Sequence, residues 1–164
     1  MIMKTTSSSK VVDVGALVCA AIASGFVSLM IICFVVPHFT GGNAGIMLRN
    51  FAAVLLGEGI LPPPATLSAA AFFAGCFVHF AFSFIFSAIL ALITHRWGLL
   101  TGIFLGAAFG LCLYAINVYS MTAVFPWFMF MKHPAFLITH VIFGMTSGGV
   151  YELLDDDDEG GKAP

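Results

Sequence analysis

Four long apolar stretches decide what this chain can fold into. They lie at about 14–36, 68–93, 98–124 and 135–154. Each reaches the roughly 20 mostly apolar residues that an α-helix needs to cross a bilayer. Of the 164 residues, 60% are hydrophobic and 9% are charged, whereas soluble domains have about a quarter of their residues charged. The sequence therefore predicts an all-α integral membrane protein, a four-helix bundle surrounded by lipid.

The first stretch is near the N-terminus, where a signal peptide would also lie. Its apolar run exceeds the roughly 7–15 residues of a signal-peptide core, and no small-x-small cleavage site follows. We interpret it as a retained helix. The predicted organisation is a cytoplasmic segment 1–13, a transmembrane domain 14–154 and an acidic cytoplasmic tail 155–164.

The orientation follows from lysine and arginine, which are enriched in cytoplasmic loops. Two of them, Arg49 and Lys132, follow spans one and three, on the side opposite the chain termini. Four lie on the side of the termini, so both termini are predicted to be cytoplasmic. These four are Lys4, Lys10, Arg96 and Lys162.

The first outer loop is long and carries an apolar pattern at 45–58 that indicates a short amphipathic helix. Glu58 and the prolines that follow it end this pattern. A helix of this kind can lie at the membrane surface or fold back over the mouth of the bundle. The sequence leaves both positions open.

One phrase occurs twice, as HFAFSFIFSAILAL from His79 and HVIFGMTSGGVYEL from His140. In each copy a small residue, Ser83 or Gly144, follows the histidine by four positions and so shares its helix face. Small residues at every fourth position allow membrane helices to pack closely. Both histidines are therefore predicted to face neighbouring helices and not lipid.

All four spans carry such small residues. Gly102 follows Ala16 by 86 positions, and the two histidines differ by 61, which leaves 25 extra residues in the first hairpin. That excess matches the inserted loop, so we predict two helical hairpins related by duplication. The small-residue stripes are Ala16, Ala20, Ser24 and Ser28; Ser83 and Ser87; Gly102, Gly106 and Gly110; and Gly144 and Gly148.

The polar side chains of the spans converge on the outer half of the bundle. His79 is predicted to lie ~10 Å inside its helix, at 1.5 Å per residue, with His140 slightly shallower. Asn117 follows Gly110 by seven residues and continues its face, and Tyr114 is one turn deeper. His79, His140, Asn117 and Tyr114 are the candidate binding residues.

Four interpretations of this cluster remain open. Neutral imidazoles can tie helices together by donating to a carbonyl or to Asn117. His79 and His140 can hold a metal or haem, since imidazole is the commonest metal ligand. They can respond to protons by charging below a pH of about 6.5. A small-molecule or quinone pocket can lie between the hairpins, lined by phenylalanine, Tyr114 and Asn117.

Methionines could complete a copper site, but the sequence lacks the usual spacing of metal ligands. Met121, Met129 and Met131 could add thioether ligands for copper. The sequence has no H-x-x-x-H or H-E-x-x-H, however, and methionines beside Trp127 are typical of a membrane interface. The cofactor prediction is therefore open, with haem or copper as the candidates.

Four short motifs, HFAFSFIF, GLLTGIFLGA, FPWF and HVIFG, resemble the YagU-like group of small bacterial inner-membrane proteins. The resemblance covers about residues 70–150. It implies a multi-pass protein of the bacterial inner membrane and carries over no catalytic residue. The chain departs from that group in its acidic tail and in lacking a long charged periplasmic insertion.

The leading functional hypothesis is a non-enzymatic membrane protein, an accessory subunit or stress-related factor with a polar cluster near the periplasm. The alternatives are a haem- or metal-binding redox subunit that uses His79 and His140, and a small oligomeric transporter or channel. Predicted partners are the lipid bilayer and other membrane subunits or further copies, which would associate through the small-residue stripes. The net charge of −2 and the absence of a basic stripe argue against nucleic acid.

Overall fold

Four long helices dominate the computed structural model, which describes residues 12–64, 66–95 and 97–155. Each is long and apolar enough to cross a membrane, and the described residues include no strand. The prediction of an all-α membrane bundle with four spans is confirmed. The spans are Val14–Thr40, Ala69–Thr94, Leu99–Val124 and Pro134–Leu154.

Several sequence predictions rest on residues outside this description. They concern the N-terminal segment, most of the acidic tail and the four lysine and arginine positions that indicate a cytoplasmic location of the termini. These four are Lys4, Lys10, Arg96 and Lys162.

The first hairpin contains an additional helix between its two spans. Its elements are α1 (Val14–Met30), a π-helical segment (Ile31–Val35), α2 (Pro37–Thr40), α3 (Ala44–Leu56), a 3-10 turn (Glu58–Ile60) and α4 (Ala69–Thr94).

The second hairpin repeats this order without the additional helix. Its elements are α5 (Leu99–Ala115), a π-helical segment (Ile116–Ser120), α6 (Met121–Val124), a 3-10 segment (Pro126–Met131) and α7 (Pro134–Leu154).

Spans one and three have matching internal organisation. α1 and α5 each have 17 residues, and a π segment of five residues and a helix of four residues follow each of them. The starts of α1 and α5 differ by 85 positions (99 minus 14), and so do the starts of the π segments (116 minus 31). The offset is one less than the 86 positions between Ala16 and Gly102, and the duplication stays a prediction.

Polar side chains fix where four helices begin. At each start a side chain just before the helix accepts a hydrogen bond from a backbone N–H of the first turn, a group that has no partner within the helix itself. The capping residues are Asp13 for α1, Asn43 for α3, Ser68 for α4 and His133 for α7.

The helices pack in a partly open order. α7 packs along α5 on one side and α1 on the other, and α1 also packs along α4. α4 and α5 make few direct contacts, so the bundle is least tightly closed between these two helices.

Glycines bring α5 and α7 into backbone contact. A Cβ at Gly106 would collide with the Gly144 carbonyl, and one at Gly144 would collide with the Gly106 carbonyl. Gly110 lies in the same way against the backbone of His140. Without a hydrophobic driving force between helices in lipid, such close packing is what holds them together.

The small-residue stripes of all four spans are buried inside the chain. On α1, Ala16, Ala20, Ser24 and Ser28 are at most 3% exposed. The stripes are thus occupied by the chain's own helices, and association with other subunits or copies stays a prediction.

A buried serine cluster joins three helices at the centre of the bundle. Ser147 on α7 donates to Ser87 on α4 at 2.8 Å, and Ser24 on α1 lies 3.5 Å from Ser87. In the absence of water, these hydroxyls satisfy one another and nearby carbonyls.

α3 folds back against the bundle, which decides between the two positions that the sequence left open. Its Leu48 backbone lies against Gly75 of α4, and Asn50 accepts a hydrogen bond from Trp127 at 3.0 Å. Arg49 is buried and donates to the carbonyls of Ile60 and Thr66, at 2.8 and 2.6 Å. Arg49 thus fixes the returning loop.

Contacts at the opposite end bring together the residues that flank the spans. Tyr151 accepts from the Asp13 backbone at 3.2 Å, and His95 pairs with Asp155 at 2.8 Å. The start of span one and the ends of spans two and four therefore share one end. We call it the terminal end, and the end that carries α3 the loop end.

Replacing Gly144 with alanine tests the glycine contact. The added Cβ would push α7 away from α5, and overpacking of this kind costs about 1–3 kcal/mol. We expect Gly144→Ala to lower the unfolding free energy in mixed micelles by that amount. The control is Gly59→Ala, where a Cβ meets nothing within 4 Å. Equal stability of both variants would contradict this packing.

Candidate functional site

His79 joins α4 to α1 through a backbone carbonyl. It lies ten positions after Ala69, the first residue of α4, which is about 15 Å of helix and deeper than the ~10 Å that the sequence predicts. Its Nε2 lies 2.9 Å from the Gly25 carbonyl and 3.3 Å from the Ser28 hydroxyl. A carbonyl only accepts, so Nε2 carries the proton and Nδ1 is an unprotonated acceptor.

His140 has the opposite arrangement of its ring nitrogens. Its Nδ1 lies 2.7 Å from the Phe136 carbonyl and must donate to it. Nε2 is then the acceptor, and Asn117 donates to it from Nδ2 at 3.1 Å. The amide orientation of Asn117 follows, with Oδ1 turned away from the ring nitrogen. This contact ties α7 to the π segment that follows α5.

Both histidines line one cavity of about 90 Å³ between the two hairpins. The sequence predicts that the two rings face neighbouring helices, and the structure places both beside the same space, together with Asn117. The walls are mainly apolar. The lining residues are Ser28, Ile32, Phe51, His79, Phe82, Ser83, Phe86, Leu113, Asn117, Met121, Phe128, Met131, Thr139, His140 and Phe143.

Tyr114 is the one candidate residue that stays outside the cavity wall. Its ring meets the His140 ring edge-on, with centroids 5.7 Å apart. Phe51 and Phe80 meet the His79 ring in the same way, each with centroids 5.6 Å apart. Aromatic edges thus hold both imidazole rings in place.

The loop end closes the cavity with three residues, of which the sequence analysis names only Met131, as a possible copper ligand. Phe51 comes from α3, and Phe128 and Met131 come from the 3-10 segment. Their ring and apolar contacts cover the space from the loop side. No helical spacing links these loop residues to the spans, so the sequence carries no signal for them. Ser28 belongs to the predicted stripe of α1, and only its contact with His79 is new.

The donors in this cavity suit hydrogen bonding better than metal ligation. A metal needs a nitrogen lone pair from each imidazole, but the lone pair of His140 Nε2 already accepts from Asn117. Met121 and Met131 line the cavity, whereas Met129 is 52% exposed. Within the described residues, no group of three or more histidine, cysteine or acidic side chains could hold a metal ion. The haem, copper and proton-response hypotheses stay predictions.

The fold and the cavity together define a class, a multi-pass integral membrane protein with a small cavity between its helices. Comparisons of the chain with protein-family models, curated proteins and solved structures find no match.

A double-mutant cycle tests the contact between Asn117 and His140. Asn117→Leu and His140→Phe should each lower stability, and the double variant should lose less than their sum. We expect a coupling of about 1 kcal/mol, as for other polar pairs within membranes. The control pairs His140→Phe with Ser120→Ala, an exposed position of the same π segment, where additivity is expected. Additive losses in the Asn117 cycle would show that the pair does not interact.

Proposed function

We propose that this membrane protein binds a small, lipid-soluble molecule in the cavity beside His79 and His140. The observation that carries the proposal is the combination of an apolar wall with a few converging polar groups. This composition is typical of small-molecule sites, which use apolar surface for affinity and a few polar atoms for orientation. The volume of about 90 Å³ equals roughly six waters and is smaller than the roughly 150 Å³ cavity that holds benzene, so a one-ring ligand would extend from it toward the lipid.

The location of the cavity supports access from the bilayer. Phe82 and Phe86 on α4, and Asn117 and Met121 beyond α5, line the cavity and are partly exposed. Phe82 lies 13 residues after the start of α4 and 12 before its end, so its exposed side meets lipid in the middle of the span. Since α4 and α5 make few contacts, a ligand dissolved in lipid can reach the cavity between them.

We further propose that the protein acts without catalysis, as an accessory subunit of the bacterial inner membrane. The resemblance to the YagU-like group supports this location, and the protons of the cavity hydroxyls are already held by backbone carbonyls. The charge distribution supports cytoplasmic termini, with Arg49 and Lys132 at the loop end. The loop end, and with it the cavity, then lies toward the periplasm.

Filling the cavity tests ligand binding. Leu113 lines it and is 3% exposed, so Leu113→Phe places additional bulk in the space. We expect this variant to bind the single-ring probe p-cresol about tenfold more weakly than the unmodified protein, measured by saturation-transfer NMR in nanodiscs of deuterated lipid.

The matched control for this test is Leu111→Phe, which adds the same bulk to the same helix at a position 49% exposed to lipid. It should leave p-cresol binding unchanged and reports how much probe the lipid itself takes up. Identical binding by the unmodified protein and both variants would contradict the proposed function.

A further inference from the structure

We infer that the cavity selects a ligand bearing a hydrogen-bond donor, and that a phenol-type hydroxyl donates to Nδ1 of His79. The inference deepens the proposed function and rests on it, because it requires a small molecule in the cavity. Four features of the lining support it. Nδ1 of His79 has no partner, the hydroxyl groups already donate their protons, the amide of Asn117 has a free acceptor, and the aromatic walls contain no carboxylate.

Nδ1 of His79 is an acceptor without a partner. The proton of the ring is on Nε2, which donates to Gly25. Among the described residues, none donates to Nδ1, although the side chain is only 8% exposed. Nδ1 is nevertheless not sealed off from space, since it is not among the fully buried, unpaired side-chain atoms of the described residues. His79 lines the cavity, and we infer that Nδ1 faces this space, within reach of a donor there.

The hydroxyl groups of the lining have no protons left to donate. Ser28 donates to the Ser24 carbonyl at 2.8 Å, and Ser83 donates to the His79 carbonyl at 2.9 Å. Thr139 donates to the carbonyl one helical turn earlier, also at 2.8 Å. Each of these oxygens can still accept a hydrogen bond. They therefore add acceptors, and not donors, to the cavity.

Asn117 offers one acceptor and one donor. One of its two N–H groups is used by His140, and its Oδ1 has no hydrogen-bond partner among the described residues. Its second N–H is the remaining side-chain donor of the described lining. Acceptors therefore outnumber donors, and a ligand hydroxyl gains a hydrogen bond that a carbonyl or ether oxygen can obtain only from Asn117.

The walls favour a neutral aromatic donor over a cation. Phe51, Phe82, Phe128 and Phe143 surround the polar groups and offer ring edges and faces to a flat ligand. The lining residues include no carboxylate, so a bound ammonium would be a buried charge without a counter-charge, which is costly. A hydroxyl on one aromatic ring is flat enough to pack against these rings and is neutral, so it needs no counter-charge.

Three probes of nearly equal shape test the selection. p-Cresol carries a hydroxyl that can donate a hydrogen bond. 4-Methylanisole keeps the oxygen but cannot donate, and p-xylene has no oxygen. Binding of each probe is measured in nanodiscs with the unmodified protein and with Leu113→Phe. The difference between the two is taken as binding to the cavity, because partition of the probe into lipid is the same in both. We expect p-cresol to bind about tenfold more tightly than either of the other two.

His79→Gln identifies the acceptor. The glutamine amide can keep an N–H near the position of Nε2, and so the hydrogen bond to Gly25, but has no counterpart of Nδ1. We expect p-cresol to bind this variant about tenfold more weakly, at the level of p-xylene, and p-xylene binding to stay unchanged. His38→Gln, at an exposed position of the loop end, is the control and should bind all three probes normally.

The outcomes separate the two proposals. If none of the probes shows binding that depends on Leu113, the proposed function fails, and this inference with it. If all three bind equally in a Leu113-dependent way, the proposed function stands and donor selection is wrong. Tighter binding of 4-methylanisole than of p-cresol also overturns donor selection. The probe series uses the unmodified protein, so it remains decisive even if His79→Gln does not fold.

Discussion

The bilayer interior supplies no hydrogen bonds, and this constraint decides where the polar side chains of the spans lie. Serines donate to carbonyls of their own helices or to one another, as Ser147 does to Ser87. His140 is satisfied on both sides by Phe136 and Asn117. Against this background, two acceptors of the cavity lining stay unpaired among the described residues, Nδ1 of His79 and Oδ1 of Asn117, and the functional proposal depends on them.

Backbone contact between α5 and α7 positions much of the site. Gly110 lies against the backbone of His140, and this close approach brings the π segment after α5 within reach of the His140 ring. π-helical segments interrupt the regular ladder of an α-helix and frequently occur at functional sites. Here they follow α1 and α5 at equivalent places, and the two segments contribute Ile32 and Asn117 to the same cavity wall.

Much of the fold could be predicted from the sequence, because helical spacing is a local property. The four spans follow from the length of their apolar runs. The small-residue stripes and the inward direction of both histidines follow from positions i and i+4 sharing a face. The position of α3 could not be predicted, since an amphipathic helix has the same pattern on a membrane surface as on a bundle. Phe51 and Phe128 were missed for the same reason: they reach the cavity from loop elements, where no periodicity relates them to the spans. The tautomers depend on carbonyls of Gly25 and Phe136, which no sequence pattern reveals.

The central claim, that His79 presents a bare Nδ1 while His140 is fully paired, can be tested directly by nitrogen-15 NMR of histidine side chains in nanodiscs. Signals are assigned with the single variants His79→Gln and His140→Gln. The structure predicts two neutral rings in opposite tautomers, with the proton on Nε2 in His79 and on Nδ1 in His140. Detection of both rings in the same tautomer, or of a proton on Nδ1 of His79, would contradict the account.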